Sequence, residues 1–375
     1  MSKLKPFALE QWYVQYEFNV SNNLSASCAL PTGTKELLSY GGPEAEERYL
    51  SLSLDYIPSR GSERLRSAVA NLFQNLGSGQ ILITTGASEA IWLLMNNLLS
   101  GGDEVIVVQP VYQSLHEVAR HAGAKVVPWP LTFENGYRPD PEELEAIMTP
   151  RTKAVVINHP HSPTGSIISQ AELERIVSIC EQHKVRLISD EVYRNILYNP
   201  EDRVSPAADL SPLAVSIGDL TKPFGLGGLR VGWLASRDAD LLNRCSLLRD
   251  YTTMCCSAPG EFLATLALEH HEELLPKKIA LAADNLSTLA GFIRMNSDLL
   301  DWVMPRGGFT AFPRYTCQLD SRSFCKEFLE QEDVLLLPGM VFGVENHFRI
   351  GFGRDSASFQ AGLQALGRYL NALRR

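Results

Sequence analysis

The sequence predicts an α/β fold: a large domain around a mostly parallel seven-stranded sheet, with a small α+β domain drawn from both chain ends. Three observations carry this expectation. Seven short apolar runs recur between residues 81 and 235, helical patterns lie between them, and both flanks lose that alternation. The runs are Ile81–Thr84, Glu104–Val108, Lys125–Pro128, Ala154–Ile157, Val185–Ile188, Ala214–Ile217 and Val231–Ala235. Most are rich in Val and Ile without polar interruption, as in strands covered on both faces. Ser88–Leu99 and Gln170–His183 carry helical spacing. Strand, helix and strand in repeated order imply parallel pairing through right-handed crossovers. The link from Ile217 to Val231 is short, which leaves the last strand open to antiparallel placement.

The flanks follow. Residues 1–45 are mixed and poorly periodic, and read as an N-terminal part of the small domain. A long helical stretch over Asp238–Leu274 joins the large domain, residues 46–275, to residues 276–375. That last part reads as helix, strands, helix, strand and helix, with a corner at Gly307-Gly308.

Charge excludes several function classes. Lys and Arg number 34 against 43 Asp and Glu, a net charge of −9. A phosphate backbone needs clustered positive charge, so no nucleic-acid partner is expected. No polybasic segment or 18-residue apolar run points to a membrane. Near the start, Glu10 breaks the apolar run that a signal peptide needs. The seven cysteines are scattered with no C-x-x-C, and suit free thiols in the cytoplasm. The eight histidines show no ligand spacing, so no metal site is expected.

Four polar constellations fall where strands end. Thr85-Gly86-Ala87-Ser88-Glu89-Ala90 stands between a strand and a helix; small residues there let backbone N–H groups meet an anion, and Ser88 suits an N-cap. A plain cap explains this stretch equally well. Asp190, in Ile188-Ser189-Asp190-Glu191-Val192-Tyr193, lies beyond a strand's carboxyl end, where open α/β sheets bind ligands. A surface-loop acid is the simpler reading of that residue alone. Lys222 sits between an apolar run and the Gly-rich loop that leads to Arg230 and Val231. A lysine desolvated near other cations forms imines with carbonyls. Arg349, in Phe348-Arg349-Ile350-Gly351-Phe352, suits bidentate capture of a carboxylate or a structural ion pair.

In order and spacing, these motifs resemble the fold-type I pyridoxal phosphate (PLP) enzymes of the aminotransferase class I/II family. The signatures are G-A-S-E-A, P-V-Y, H-S-P-T-G, S-D-E-V-Y, T-K-P-F-G-L-G-G-L-R-V-G-W and F-R-I-G-F, spread over residues 20–370. The resemblance implies pyridoxal 5'-phosphate as cofactor and a role for each matching residue. Lys222 would hold the cofactor covalently and shuttle protons. Asp190 would pair with the pyridinium nitrogen, and Tyr193 would bond the ring 3-oxygen. Tyr112 would stack on the ring. Gly86, Ala87, Ser88 and Arg230 would bind the phosphate, and Thr221 would belong to the cofactor site. Tyr56 matches a tyrosine that reaches the phosphate from the neighbouring subunit, which implies a homodimer. Arg349 would hold the substrate α-carboxylate.

Two positions depart from the family pattern. Ser162 stands where an Asn is usual, and its hydroxyl is shorter than an amide. Asp219 stands where a Ser or Thr usually faces the phosphate, placing an anion near a dianion. Either both are neutral drift or they alter ordinary transamination.

Further stretches resemble the PLP-dependent hydroxyarginine cyclases that form capreomycidine and enduracididine. They are Leu9-Glu10-Gln11-Trp12, Pro128-Trp129-Pro130-Leu131, Arg249-Asp250-Tyr251-Thr252-Thr253, Pro305–Arg314 and Pro338–Gly343. The implied reaction is loss of a β- or γ-hydroxyl from hydroxylated L-arginine, then closure by the substrate's own guanidine. A class I/II aminotransferase is the alternative, and a catalytically silent binding module a third. A silent relative has no chemical need to keep Lys222, Asp190, Tyr193 and Arg349 together. For the guanidinium, Glu10 is the first candidate, set against a solvated helix face; Ser25, Ser27 and Cys28 lie in the segment that crosses the family's substrate site. Glu17 and Asp250 are weaker candidates. His159 and His161 are candidate acids near the ring, or packing residues beneath it.

Overall fold

The structure is a computed structural model and describes residues 3–374. Its central sheet has seven strands: β1 (Ile81–Thr84), β2 (Glu104–Gln109), β3 (Lys125–Pro130), β4 (Thr152–Asn158), β5 (Arg186–Asp190), β6 (Ala214–Asp219) and β7 (Gly232–Ser236). They lie in the order β1-β7-β6-β5-β4-β2-β3. The inner pairs are parallel, while β7 runs antiparallel to both β1 and β6. The short link before β7, which spans only a few residues of helix, explains that reversal. Residues of β1, β2, β4 and β6 are almost wholly buried, because helices cover both faces and leave no polar alternation.

The expected helix Gln170–His183 forms with those bounds. Ser169 caps it: its hydroxyl accepts from the Glu172 N–H while Glu172 reaches back to the Ser169 N–H. The stretch expected as one helix over Asp238–Leu274 is instead three, Ala239–Arg249, Ala258–Glu269 and His271–Met295. The break at residues 250–257 carries Thr252, Thr253 and Cys256, which turn inward to bond Glu89 and the Thr84 carbonyl. The domain boundary expected after residue 275 falls inside the helix His271–Met295.

Both chain ends pack together. Asn22–Asn23 pairs in parallel with Val334–Leu335, and the Trp12 indole donates to the Leu336 carbonyl at 3.0 Å. The strand Phe348–Gly351 lies antiparallel between Thr310–Ala311 and Leu337–Pro338. Gly351 lets the N-terminal segment come close: its N–H donates to the Leu24 carbonyl at 2.6 Å, and a Cβ there would collide with the Ala26 backbone. That contact sets residues 24–27 beside Arg349.

Candidate active site

A cavity of about 260 Å³ opens at the carboxyl ends of the parallel strands. Asn158 ends β4, Asp190 ends β5 and Asp219 ends β6, and all three line it. Ala87, Ser88, Tyr112, Ser162, Tyr193, Thr221, Lys222, Arg230, Arg349 and Glu10 also line it. The structure thus gathers residues up to 339 positions apart in sequence, from Glu10 to Arg349, around one lysine.

Lys222 lies on the short helix Thr221–Phe224. Asp219 secures that turn, its Oδ1 accepting from the backbone N–H of Thr221 at 3.0 Å and of Lys222 at 3.4 Å. This answers the anion problem posed by Asp219: one carboxylate oxygen is committed to backbone donors. Burial raises the Asp219 pKa, and Lys222 and those donors work against the rise. The Lys222 Nζ donates to Ser27 Oγ at 3.0 Å and to Cys28 Sγ at 3.7 Å. Burial opposes its ammonium form, but Cys28, Tyr193 and Asp219 around it hold Lys222 above the ordinary lysine range.

Asp190 is buried, and burial pushes its pKa up to about 7, with Asp219 adding to the rise and a bond from the Val192 N–H opposing it. Lys222 favours its ionised form from nearby, but among the described residues no cation bonds this carboxyl, and a pyridinium N–H is the kind of partner that would keep it ionised. A pH prediction follows for the cofactor-free protein. The folded pKa exceeds the ordinary value of 3.8, so the native state binds the extra proton between the two. Stability therefore falls as pH rises through that window, by up to a few kcal/mol for this group. Thermal melts of cofactor-free Asp190→Asn between about pH 5 and pH 8 are expected to show a smaller fall than wild type. Identical pH slopes would count against a buried, proton-binding Asp190.

An anion cup adjoins Lys222. Gly86 opens the helix Gly86–Leu98 with φ +78, and a Cβ there would lie 2.6 Å from Arg230 Nη2. Only glycine lets that guanidinium approach the helix N-terminus so closely. Arg230 is itself left-handed, with φ 52, and its Nη1 donates to the Gly227 carbonyl at 3.1 Å. The expected N-cap at Ser88 is corrected: Thr85 is the capping residue, and Ser88 lies in the first turn, lining the cavity. A helix N-terminus, a guanidinium, and the hydroxyl residues Ser88 and Thr221 together suit a phosphate dianion.

The ring walls are also defined. Tyr112 packs on Phe7 with centroids 4.9 Å apart, and burial pushes its phenol up to about 12. The Tyr193 hydroxyl donates to the Ser27 carbonyl at 2.6 Å. Ser162 lines the cavity, its N–H held by Asn158 Oδ1 at 2.7 Å, while Asn158 Nδ2 donates to the Asp190 carbonyl at 3.1 Å. The amide of Asn158 is therefore committed to backbone groups and does not replace the side chain that Ser162 lacks.

On the substrate side, Arg349 is 2 % exposed, and its Nη2 donates to Tyr13 Oη at 2.6 Å and the Ser25 carbonyl at 2.8 Å. Its Nε is buried with no partner among the described residues. A buried guanidinium with one edge unsatisfied suits a carboxylate. Ser25 is corrected: its hydroxyl is taken by Asn23 and Tyr13, and it serves through its carbonyl, while Ser27 faces the lysine. Glu10, on the helix Ala8–Tyr16, lines the cavity. Glu17 sits just beyond that helix; burial and the nearby Glu10 raise its pKa, against Arg354, Arg349 and Lys222. Asp250 is exposed and does not line the cavity.

The histidines are corrected as acids. His159 Nδ1 accepts from the Ile168 N–H, and burial holds its pKa down to about 3. His161 bridges Thr164 and the Pro110 carbonyl, with its pKa lowered by burial to about 4. Both are neutral packing groups outside the cavity. Tyr56 is 79 % exposed and does not line the cavity of its own chain. Residues not singled out in the sequence include Leu9, Tyr13, Ile91, Asn158 and Val192, all in the lining. Tyr13 follows Glu10 by three residues on one helix, a spacing that could have revealed it.

A lysine, a buried aspartate and an anion cup at strand ends fit pyridoxal 5'-phosphate, and the class of protein they define is a PLP-dependent enzyme of fold-type I. The profile "Aminotransferase class I and II" matches residues 46–366, and the chain belongs to that family. It is similar to capreomycidine synthase of Streptomyces vinaceus, 36% identical over 84% of this chain and 80% of that one. It is also similar to an arginine–pyruvate transaminase of Pseudomonas aeruginosa, 31% identical over 84% of each chain. Among solved structures, the PLP-dependent cyclase OrfR matches with a TM-score of 0.91 and 33% identity, over 99% of this chain and 98% of that one. A PLP-dependent aminotransferase from Streptococcus suis matches with a TM-score of 0.94 and 29% identity, over 99% of each chain.

Proposed function

We propose that this enzyme is a PLP-dependent cyclase (dehydratase) that converts a β- or γ-hydroxylated L-arginine to a cyclic guanidino amino acid such as capreomycidine or enduracididine. The observation that carries the reading is the presence of opposite charges in the lining of one cavity: Arg349 for an α-carboxylate and Glu10 for a cation. The likeness to capreomycidine synthase and to the cyclase OrfR supports it. The likeness to an arginine–pyruvate transaminase favours a second reading, transamination of an α-amino acid with a 2-oxo acid.

When bound, the cofactor supplies an electron sink for the charge left at Cα. The protein's own groups do the rest. Arg349 and Tyr13 hold the α-carboxylate, and Glu10 holds the guanidinium. Lys222 takes the Cα proton and later returns it, and Ser27 receives its amine between these events. Asp190 would pair as an anion with the ring nitrogen of the bound cofactor. The hydroxyl leaves with a proton as water, directly from Cβ, or from Cγ once a β-proton has been removed that is later returned; a guanidine nitrogen gives up one proton as it bonds to the carbon the hydroxyl left, so one water is lost overall. Attack at Cβ closes a six-membered ring and attack at Cγ a five-membered one.

The same proposal includes a cytoplasmic homodimer. The seven cysteines are all free thiols, which suits a reducing compartment. Among the described residues no helix is long and apolar enough to cross a membrane. Tyr56, exposed on its own chain, would reach the phosphate of the partner subunit's site. Residues 1–45 and 276–375 would form the small domain around the large domain, residues 46–275.

The deciding assay incubates the protein with β- or γ-hydroxyarginine, with and without a keto acid. Water loss and a cyclic product without keto acid are expected. Amino transfer to pyruvate or 2-oxoglutarate with no cyclic product would overturn the cyclase. Glu10→Gln is expected to raise KM about 10–100-fold with kcat largely kept, the scale of one bond to a charged group. Unchanged kinetics would remove Glu10 from substrate binding.

A further inference from the structure

Behind the anion cup lies a buried ion pair that the reaction above does not use. Arg249 is fully buried, and its Nε meets Glu89 Oε2 at 3.2 Å. Its Nη1 donates to the Ser59 carbonyl and its Nη2 to Cys256 Sγ, at 3.3 Å for the latter. Glu89 in turn accepts from the Thr85 N–H at 2.6 Å and from the hydroxyls of Thr252 and Thr253. Burial works against its ionised form, but these donors and Arg249 hold its pKa below the usual carboxylate range. Cys256 closes the circuit by donating to the Thr84 carbonyl.

Thr84 and Thr85 are the two residues that lead into Gly86, the start of the phosphate helix. The bonds from the Thr85 N–H to Glu89 and from Cys256 to the Thr84 carbonyl therefore fix the backbone from which that helix departs. An isolated carboxylate in the first helical turn would repel a bound phosphate dianion in so dry a setting. From this geometry we infer that Arg249 is a positioning residue for the cofactor phosphate: it neutralises Glu89, so that the Glu89 carboxylate can pin the cup's rim without opposing the anion. Through Ser59 the same guanidinium anchors the loop that carries Tyr56, only three residues away in sequence. The role holds for a cyclase or a transaminase alike, and rests only on a phosphate occupying the cup.

The test measures equilibrium affinity of cofactor-free protein for PLP, for pyridoxal, which lacks the phosphate, and for inorganic phosphate as competitor. Wild type is expected to bind PLP more tightly than pyridoxal; equal affinities would instead reject the phosphate cup itself. Arg249→Met is expected to weaken PLP and inorganic phosphate about tenfold or more, the scale on which supporting residues act on a bound ion. Its affinity for pyridoxal stays near wild type. Combining Glu89→Gln with Arg249→Met removes both charges and is expected to recover most of the loss. Should Arg249→Met fail to fold, that neutral double variant and Thr253→Val at the rim serve in its place. Thr253→Val is then expected to weaken PLP a few-fold and leave pyridoxal unchanged. Equal losses for PLP and pyridoxal, or a double variant as weak as Arg249→Met, would overturn the inference.

Discussion

Replacing Lys222 with alanine abolishes turnover, by a factor of at least about 10⁴, and leaves the protein without covalently held cofactor. Among the described residues the site has no second amine to take over: Lys222 is the only lysine in the lining, its Nζ held by Ser27 and Cys28. Asp190, Arg230 and Arg349 remain in the variant, so PLP still binds, but reversibly, and dialysis removes it. The measurement is absorbance of the dialysed variant beside wild type, with turnover of hydroxyarginine. Retained activity would move the proton-transfer role to another group. Because Asp219 and not Lys222 holds the helix Thr221–Phe224 through backbone bonds, the fold of the variant is expected to survive.

Arg349→Met lowers kcat/KM about 10²–10⁴-fold, since two bonds from a guanidinium to a carboxylate contribute about 3–6 kcal/mol together. The cofactor spectrum stays that of wild type, because Arg349 faces the substrate end. Arg349→Lys recovers only part, as an ammonium cannot present the planar fork. The variant also leaves the Ser25 carbonyl without its guanidinium donor, so a small loss of thermal stability accompanies the kinetic one. An unchanged kcat/KM would place the substrate carboxylate elsewhere.

The sheet is legible in the sequence because its strands are buried on both faces and so read as unbroken apolar runs. Their ends are less so, and the reason is chemical. β4 continues to Asn158, β5 to Asp190 and β6 to Asp219, polar residues that belong to strands only because they face the cavity. The helix break at residues 250–257 has a similar cause: its threonines and Cys256 satisfy a buried carboxylate and carbonyl far away in sequence. The cofactor side of the site could be read from motif order, since each residue lies beside a strand end. The substrate side could not. Which of Ser25 and Ser27 faces the lysine depends on how Leu24 and Ala26 seat against Gly351, a contact across more than 300 residues. Likewise, the packing histidine His161 is told from a catalytic one by its bond to the Pro110 carbonyl, 51 residues away in sequence.

The most direct measurement is borohydride reduction of the protein as purified with PLP, followed by proteolysis and mass mapping. A single pyridoxyl label is expected, on the peptide containing Thr221-Lys222-Pro223. A label on another lysine, or none after PLP is shown to be bound, would contradict it.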